Sequence, residues 1–313
     1  MDKDILDVML AHQRAFQVST GKLASGDLAA NTARIILGIH SEASELLRCV
    51  PWRPHRRSDE ELILSNIHDE IIDLFKYWLI LADMWGLDSK LITEEFFRKS
   101  RVVEQRWQQE FLSFSDNKPI FGVDLDGVLC DLDSTWKLFL EQQDVSFDPD
   151  VISTDMAQCL ASEVNNYGEL KHLFRESGAK MDAVPYDGAG EFIRSLRKIG
   201  RVAIVTARPY HKYKRLFADT IDWCNKNDIV FDTVIFEENK REWAMANSSI
   251  LSFFIEDSVD QATSLASRGA KVLLIDRPHN RIQGLPDSIR RVKGFSEILS
   301  ILEVSENLAE VRS

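Results

Sequence analysis

Phe121-Gly-Val-Asp-Leu-Asp-Gly-Val-Leu-Cys-Asp131 is the stretch whose reading decides the fold. Ile120 to Val123 is an apolar run with the length of a buried strand, and it ends abruptly in Asp124, Asp126 and Gly127. A strand that delivers carboxylates to its carboxyl end fits a parallel α/β sheet, whose ligand crevice lies outside the carboxyl ends of the strands. Two aspartates one residue apart at that place can share one divalent cation.

From Pro119 onward, apolar runs at 120–124, 201–206, 232–236, 252–256 and 271–275 alternate with amphipathic stretches at about 188–199, 211–227, 259–268 and 294–303. That alternation predicts a parallel, Rossmann-like sheet covered by helices on both faces. Further polar residues stand at the strand ends. Thr206 closes the run Val202-Ala-Ile-Val-Thr and is followed by Ala207, Arg208 and Pro209, so its hydroxyl and the next backbone N–H groups can bind a phosphoryl oxygen. Glu256 and Asp257 close the run beginning at Phe253, where Asp257 can complete a metal shell begun by Asp124. Lys240 stands at the start of the helix before that strand, and its ammonium could neutralise charge between nucleophile and phosphate. Lys212 and Lys214 are rivals for that role.

In this order the set resembles the haloacid dehalogenase (HAD) superfamily of aspartate-nucleophile phosphatases over about residues 119–303. Asp124 and Asp126 match its first motif, Thr206 its second, Lys240 its third, and Asp257 with Glu256 its fourth. Phe254-Ile-Glu-Asp-Ser-Val-Asp and Leu274-Ile-Asp-Arg-Pro-His-Asn look like the 5'-nucleotidase and deoxyribonucleotidase branch. The resemblance implies that Asp124 attacks phosphorus and that Asp126 acts as acid and then base. It implies Mg²⁺ held by Asp124, Asp126 and Asp257, with Thr206 and Lys240 stabilising the transferring group and Arg208 binding substrate. Residues 132–186 would form a small helical cap, with Trp136, Tyr167, Lys171 and Arg175 either contacting substrate or lying on its surface.

The first 110 residues have helical periodicity, with helices expected at about 4–17, 29–48, 60–85 and 90–111. Gly86 ends the third, and Asp88 or Ser89 caps the fourth. Ile67, Ile71, Leu74, Phe75, Trp78, Leu81, Ala82 and Trp85 step by three or four residues, the pattern of a helix buried in a bundle. Two acidic pairs interrupt the apolar pattern: Glu42 with Glu45, and Glu70 with Asp73. Spacing of i, i+3 puts each pair on one helical face. Like charges about 4 Å apart repel by roughly 4 kcal/mol at an effective dielectric near 20. Four converging carboxylates therefore call for cations or protons, and Mg²⁺ suits oxygen ligands that leave places for substrate phosphates.

Residues 30–107 resemble the MazG-like all-α nucleotide pyrophosphohydrolases, which include the dimeric dUTPases and dCTP pyrophosphatases. The carriers are His40-Ser-Glu-Ala-Ser-Glu-Leu-Leu, Trp52, and Asp69-Glu-Ile-Ile-Asp-Leu-Phe-Lys-Tyr. The resemblance implies that Glu42, Glu45, Glu70 and Asp73 bind Mg²⁺ and activate a water that releases pyrophosphate. It makes Trp52 a base-stacking candidate, and Lys99 and Arg106 phosphate contacts. Val102 and Val103 occupy the places of the family's usual Lys-Asn pair, so the basic loop with Arg48, Arg53, His55, Arg56 and Arg57 is either the substitute for holding phosphate or a solvated loop that balances nearby acids. A homo-oligomer, dimer or tetramer, is expected through this helical part.

The expected organisation is thus a multidomain chain. An all-α bundle covers 1–113, a polar linker 114–118, and an α/β HAD fold 119–313. Its 313 residues suffice for two cores, and 44% hydrophobic with 28% charged residues is ordinary globular composition. Net charge is −12, with 14 basic against 19 acidic residues up to 117 and 24 against 31 thereafter. Both parts are acidic, which argues against a nucleic-acid polymer as partner. Cys49, Cys130, Cys159 and Cys224 lack metal-ligand spacing and read as reduced thiols. Met1-Asp-Lys-Asp lacks the pattern of a secretory signal, and no apolar run is long enough for a membrane span, so a cytoplasmic enzyme is expected. The leading reading is a bifunctional Mg²⁺-dependent hydrolase: nucleoside triphosphate to monophosphate and pyrophosphate, then monophosphate to nucleoside and phosphate. The alternative is a phosphatase of a small phosphorylated metabolite whose helical domain serves nucleotide binding or oligomerisation only.

Overall fold

The structure is a computed structural model that describes residues 4–20, 27–51, 64–113, 118–151, 156–162, 164–281 and 284–310. The chain divides into two compact units, Met1–Arg106 and Trp107–Ser313. The division falls inside the fourth helix, and each unit is described by itself.

The first unit contains α1 (Ile5–Thr20), α2 (Leu28–Arg48), α3 (Leu64–Met84) and most of α4 (Ser89–Ser113). Local chemistry sets their ends. Asp27 Oδ1 accepts from Ala29 N at 2.9 Å to cap α2, and Asp88 Oδ1 accepts from Leu91 N at 2.8 Å to cap α4. Gly86 follows α3 with φ +71°, the left-handed conformation that favours glycine at a helix end. Leu10, Leu79 and Ala82 form the buried centre, joined by Leu6, Leu87 and Ile92. The α3 stripe differs from expectation in part. Ala82 is buried as expected, but Ile71, Phe75, Trp78 and Trp85 are 47%, 36%, 39% and 55% exposed, because α3 turns Leu79 and Ile80 inward instead.

The second unit is built on a six-stranded, all-parallel sheet in the order β5-β4-β1-β6-β7-β8. Its elements run β1 (Ile120–Val123), β2 (Cys130–Asp131), α5 (Leu132–Gln142), α6 (Tyr167–Glu176), β3 (Val184–Pro185), α7 (Ala189–Ile199), β4 (Arg201–Thr206), α8 (Leu216–Lys226) and β5 (Thr233–Phe236). They continue with α9 (Lys240–Ala246), β6 (Leu251–Glu256), α10 (Val259–Ala266), β7 (Val272–Ile275), β8 (Ile289–Val292) and α11 (Phe295–Glu310). Short 3₁₀ turns lie at Ala179–Asp182 and Pro278–Asn280. β1, β4 and β7 are buried along their whole length, as strands covered on both faces must be.

Two large cores, one on each face, contain Val123, Phe192, Ile204 and Trp223 on one side and Ile120, Val205, Phe254 and Leu274 on the other. The region inserted between β2 and β3 packs around its own cluster of Trp136, Phe139, Leu140, Cys159, Leu170 and Phe174. β8 has no counterpart among the expected strands. Its sequence, Ile-Arg-Arg-Val, has buried ends and a polar middle, an edge strand without an apolar run. Among the described residues no helix is long and apolar enough to cross a membrane, and all four cysteines are free thiols, three of them buried.

Candidate active site

From β1 the chain moves outward through β4 to β5, then returns to the other side of β1 as β6. Such a reversal opens a crevice at the carboxyl ends of the strands on either side. Asp124 is placed there by the end of β1, where its N–H still donates to Ile255 O at 3.0 Å. Glu256 and Asp257 come from the end of β6, and Lys240 from the first residue of α9.

Lys240 Nζ lies 2.7 Å from Asp124 Oδ1 and 2.9 Å from Glu256 Oε2. The carboxylate oxygens of Asp124, Glu256 and Asp257 all fall within 4.8 Å of one another. Asp124, Glu256 and Asp257 are 6%, 0% and 6% exposed, so the three acids have little water to share their charge. Burial pushes the Asp124 carboxyl up, opposed by Lys240 and reinforced by Asp257. Burial and Asp124 push Glu256 well above the usual carboxylate range. Burial disfavours charge on Lys240 as well, yet Asp124 and Glu256 outweigh it and keep the ammonium protonated. Three carboxyl groups share one ammonium, so ionising all of them needs further positive charge, which a divalent cation bound by hard oxygen donors would supply.

Gly127 makes this packing possible. Its φ is +81°, and a Cβ there would stand 1.9 Å from Asp257 Oδ2. Asp126 faces elsewhere. Its carboxylate accepts from Arg208 Nη2 at 2.5 Å and Lys180 Nζ at 2.9 Å, while Cys130 Sγ lies 3.3 Å away. Burial opposes its charge, but the two cations outweigh this and hold the carboxyl far below the usual range. The sequence had placed Asp126 beside Asp124 and Asp257; the structure brings Glu256 into that position and pairs Asp126 with two cations.

Arg208, read from the sequence as a substrate contact, is 3% exposed and also donates to Thr220 Oγ1 at 3.0 Å. Thr206 ends β4 beside β1, is 1% exposed, and its Oγ1 accepts from Arg208 N at 3.4 Å. Lys212 is exposed and lies 3.8 Å from Glu238, so among the three candidate lysines Lys240 is the one on Asp124. Lys180 had no role in the sequence reading. It lies on a short turn of the insertion, with no local pattern to mark it among the lysines there.

A cavity of about 530 Å³ opens over the cluster, lined by Asp124, Lys240, Asp257, Tyr186 and Arg277 on the sheet side and by Asp131, Ser134 and Met156 on the inserted side. The four expected cap contacts do not line it. Trp136 is 1% exposed in the insertion's core with Nε1 donating to Met156 O at 3.0 Å, Tyr167 packs against it, Lys171 lies over the Tyr167 ring, and Arg175 lies over Tyr213.

The family of 5' nucleotidase, deoxy (pyrimidine), cytosolic type C proteins matches residues 118–306, more than half of the chain. The chain belongs to this family. Its second unit is accordingly a nucleotidase or phosphatase of the HAD type. A protein of Chlorobaculum tepidum named "Putative 5'(3')-deoxyribonucleotidase" is 26% identical over 56% of this chain and 88% of its own length. A nucleotidase of Clostridium acetobutylicum is 30% identical over 36% of this chain and 55% of its own length. Among solved structures, a haloacid dehalogenase-like hydrolase from Streptococcus pneumoniae is 15% identical over 59% of this chain and 98% of its own, with a TM-score of 0.42. The match to the nucleotidase family begins at residue 118, after the helical unit.

In that helical unit, Glu42 and Glu45 of α2 and Glu70 of α3 bring carboxylate oxygens within 4.8 Å of one another. Asp73 pairs with Lys76 at 3.3 Å and lines a cavity of about 390 Å³ together with Glu42, Gln13, Arg34 and Tyr77. Partial burial pushes Glu42 up, followed by the charges of Glu45, Asp73 and Glu70. Tyr77 reaches α2 because residue 38 is glycine; a Cβ there would lie 2.5 Å from the Tyr77 ring. Lys99 lines a different, apolar groove with Trp78, Phe96 and Val103, and Arg106 is exposed on α4. Arg48 lies 3.6 Å from Glu45. Trp52, Arg53, His55, Arg56 and Arg57 lie outside the described residues.

Proposed function

We propose that the second unit hydrolyses a nucleoside monophosphate, deoxy-preferring, to nucleoside and orthophosphate, with Asp124 as the nucleophile. The observation that carries this reading is the buried Asp124 carboxylate, held by Lys240 beside Asp257 at the floor of a cavity large enough for a nucleotide. Attack by Asp124 on phosphorus forms an aspartyl-phosphate and breaks the ester bond, and the leaving oxygen takes a proton. Water then attacks that intermediate, breaks its P–O bond and frees Asp124 and orthophosphate. Lys240 balances charge on the attacking carboxylate and the transferred group, and Thr206 with the adjoining backbone N–H groups receives phosphoryl oxygens. Asp126 supplies and later accepts the proton. Its carboxylate must loosen from Arg208 and Lys180 to do so, and of the two only Lys180 lies in the inserted region, residues 132–186, whose movement as a cap would withdraw it.

Asp124 and Asp257 would hold Mg²⁺, with Glu256 beside them, as the three carboxylate donors fit a hard cation. When bound, the ion supplies charge neutralisation at the phosphoryl oxygens. Mg²⁺ at about 100 times its dissociation constant should stabilise the protein by about 2.7 kcal/mol, read as a rise in Tm. Asp257→Asn is expected to remove the part of that rise due to this site. An unchanged rise in the variant would take Asp257 out of the metal site.

For the helical unit we propose the preceding step, hydrolysis of a nucleoside triphosphate to monophosphate and pyrophosphate at Glu42, Glu45, Glu70 and Asp73, also with Mg²⁺. Convergence of three of these acids from two helices supports it. The chain would then work as a cytoplasmic homo-oligomer that makes its own substrate. Val102 and Val103, in place of a Lys-Asn pair, favour the second reading, in which this unit only binds nucleotide or builds the oligomer. A panel of ribo- and deoxyribonucleoside mono- and triphosphates with Mg²⁺, followed separately for orthophosphate and pyrophosphate, decides between them. Orthophosphate from monophosphates with pyrophosphate from none of the triphosphates would leave only the second reading standing.

A further inference from the structure

We propose that Asn280 and Arg277, on the turn after β7, are positioning residues that brace the metal-facing carboxylates of Asp124 and Asp257. The inference rests on the reading of those two acids as Mg²⁺ ligands and adds a support that none of the four phosphatase motifs contains.

Asn280 is fully buried, and its amide is used on every side. Nδ2 donates to Asp257 O at 2.7 Å and to Ile275 O at 2.8 Å. Oδ1 accepts from Arg277 N at 3.1 Å and from Arg291 Nη1 at 2.5 Å. A side-chain amide has two donor hydrogens and two acceptor lone pairs, so an Asn engaged four times has one orientation left. One side chain thus joins the ends of β6 and β7 and receives an arginine from β8. The carbonyl it holds on β6 is that of Asp257 itself.

Arg277 does the same for the opposite wall. Its Nε donates to Gly127 O at 2.7 Å and Nη2 to Val128 O at 3.2 Å, with the guanidinium 3.6 Å from the centre of the Tyr186 ring. That fixes the turn carrying Asp124 to Gly127, whose glycine lies against the Asp257 carboxylate. His279, between the two, places Nε2 2.9 Å from Asp257 Oδ2, in a close contact without hydrogen-bond geometry. Three residues of one short turn therefore reach both the backbone and the side chain of Asp257 and the backbone of the turn after Asp124. Metal affinity depends on such outer partners because the ligands must be held at separations the ion dictates, and losing one typically weakens binding by about 10–100-fold.

The test is calorimetric titration of Mg²⁺ into the full chain without substrate, with Tm measured on each metal-free protein. Asp257→Asn identifies the binding component that belongs to this site. Asn280→Asp keeps the acceptor oxygen and removes both donors; Arg277→Met keeps the stem against Tyr186 and removes both donors. Each is expected to weaken the Asp257-dependent component about 10–100-fold while remaining folded. Affinity within about twofold of the parent in both variants overturns the proposal, whatever happens to Tm. Should Asn280→Asp fail to fold, Arg277→Met decides alone. If the parent shows no Asp257-dependent component, the metal reading fails and the brace with it.

Discussion

Asp124→Asn is expected to stop orthophosphate release from nucleoside monophosphates, with kcat lower by about 10⁴–10⁶-fold, the scale seen when a covalent nucleophile is removed. The change is nearly isosteric. Asp124 Oδ1 accepts from Leu125 N and Lys240 Nζ, both at 2.7 Å, and an amide oxygen can accept both. The fold and the cavity should therefore survive, and the missing group is a carboxylate oxygen able to bond to phosphorus. Pyrophosphate release from triphosphates, as proposed for the helical unit at Glu42, Glu45, Glu70 and Asp73, should continue at the parent rate. Glu45→Ala should do the reverse, leaving orthophosphate release intact. The two products are assayed separately on the same preparations. An Asp124→Asn protein that keeps a tenth of its phosphatase activity would remove Asp124 as nucleophile.

The parts of this site that lie at strand ends were legible in the sequence, because a buried strand announces itself as an apolar run and the first polar residue after it lands in the crevice. Asp124, Thr206, Glu256 and Asp257 are all such residues, and β1, β4 and β6 lie within a residue of their expected limits. What was not legible depends on partners far away in the chain. Asp126 and Asp124 are one residue apart, yet Asp126 turns toward Arg208 and Lys180, 82 and 54 residues on. Strand alternation would put residues i and i+2 on one face, but the chain leaves the extended form after Asp124 and turns at Gly127, and only the tertiary fold supplies what each side chain meets.

The same limit explains the helical stripe and the edge strand. Periodicity in α3 identified a helix, but which of its faces α1 and α2 would cover is not a local property. β8 escaped notice because Arg290 and Arg291 occupy its middle, and Arg291 is there to reach Asp276 and Asn280. Leu274 to Asn280 was visible as a family-like stretch, but the use of Asn280 as a tie between strand ends could be found only from its four hydrogen bonds.

Lys240→Met should produce the largest loss of stability of any substitution at the site. Met fills the same volume but leaves Asp124 and Glu256 buried together with no cation between them. Removing one partner of a buried pair costs about 3–5 kcal/mol, since the remaining charge stays desolvated. In a unit of this size each kcal/mol moves Tm by roughly 2–4 °C, giving a fall of roughly 6–20 °C. The pH dependence separates this cause from simple loss of packing. Asp124 and Glu256 already have raised values in the parent protein, and without Lys240 the opposition to that rise is gone. A carboxyl whose folded value lies above its unfolded one contributes stability that is complete below the unfolded value and lost as pH rises through the folded one. Metal-free Lys240→Met should therefore lose stability steadily as pH rises from the ordinary carboxylate range to neutrality, more steeply than the parent. Mg²⁺ should restore part of it, because a divalent ion on Asp124 supplies the charge that the lysine did. A variant whose Tm is equally low at both ends of that range, with or without Mg²⁺, would mean that Lys240 acts by packing alone.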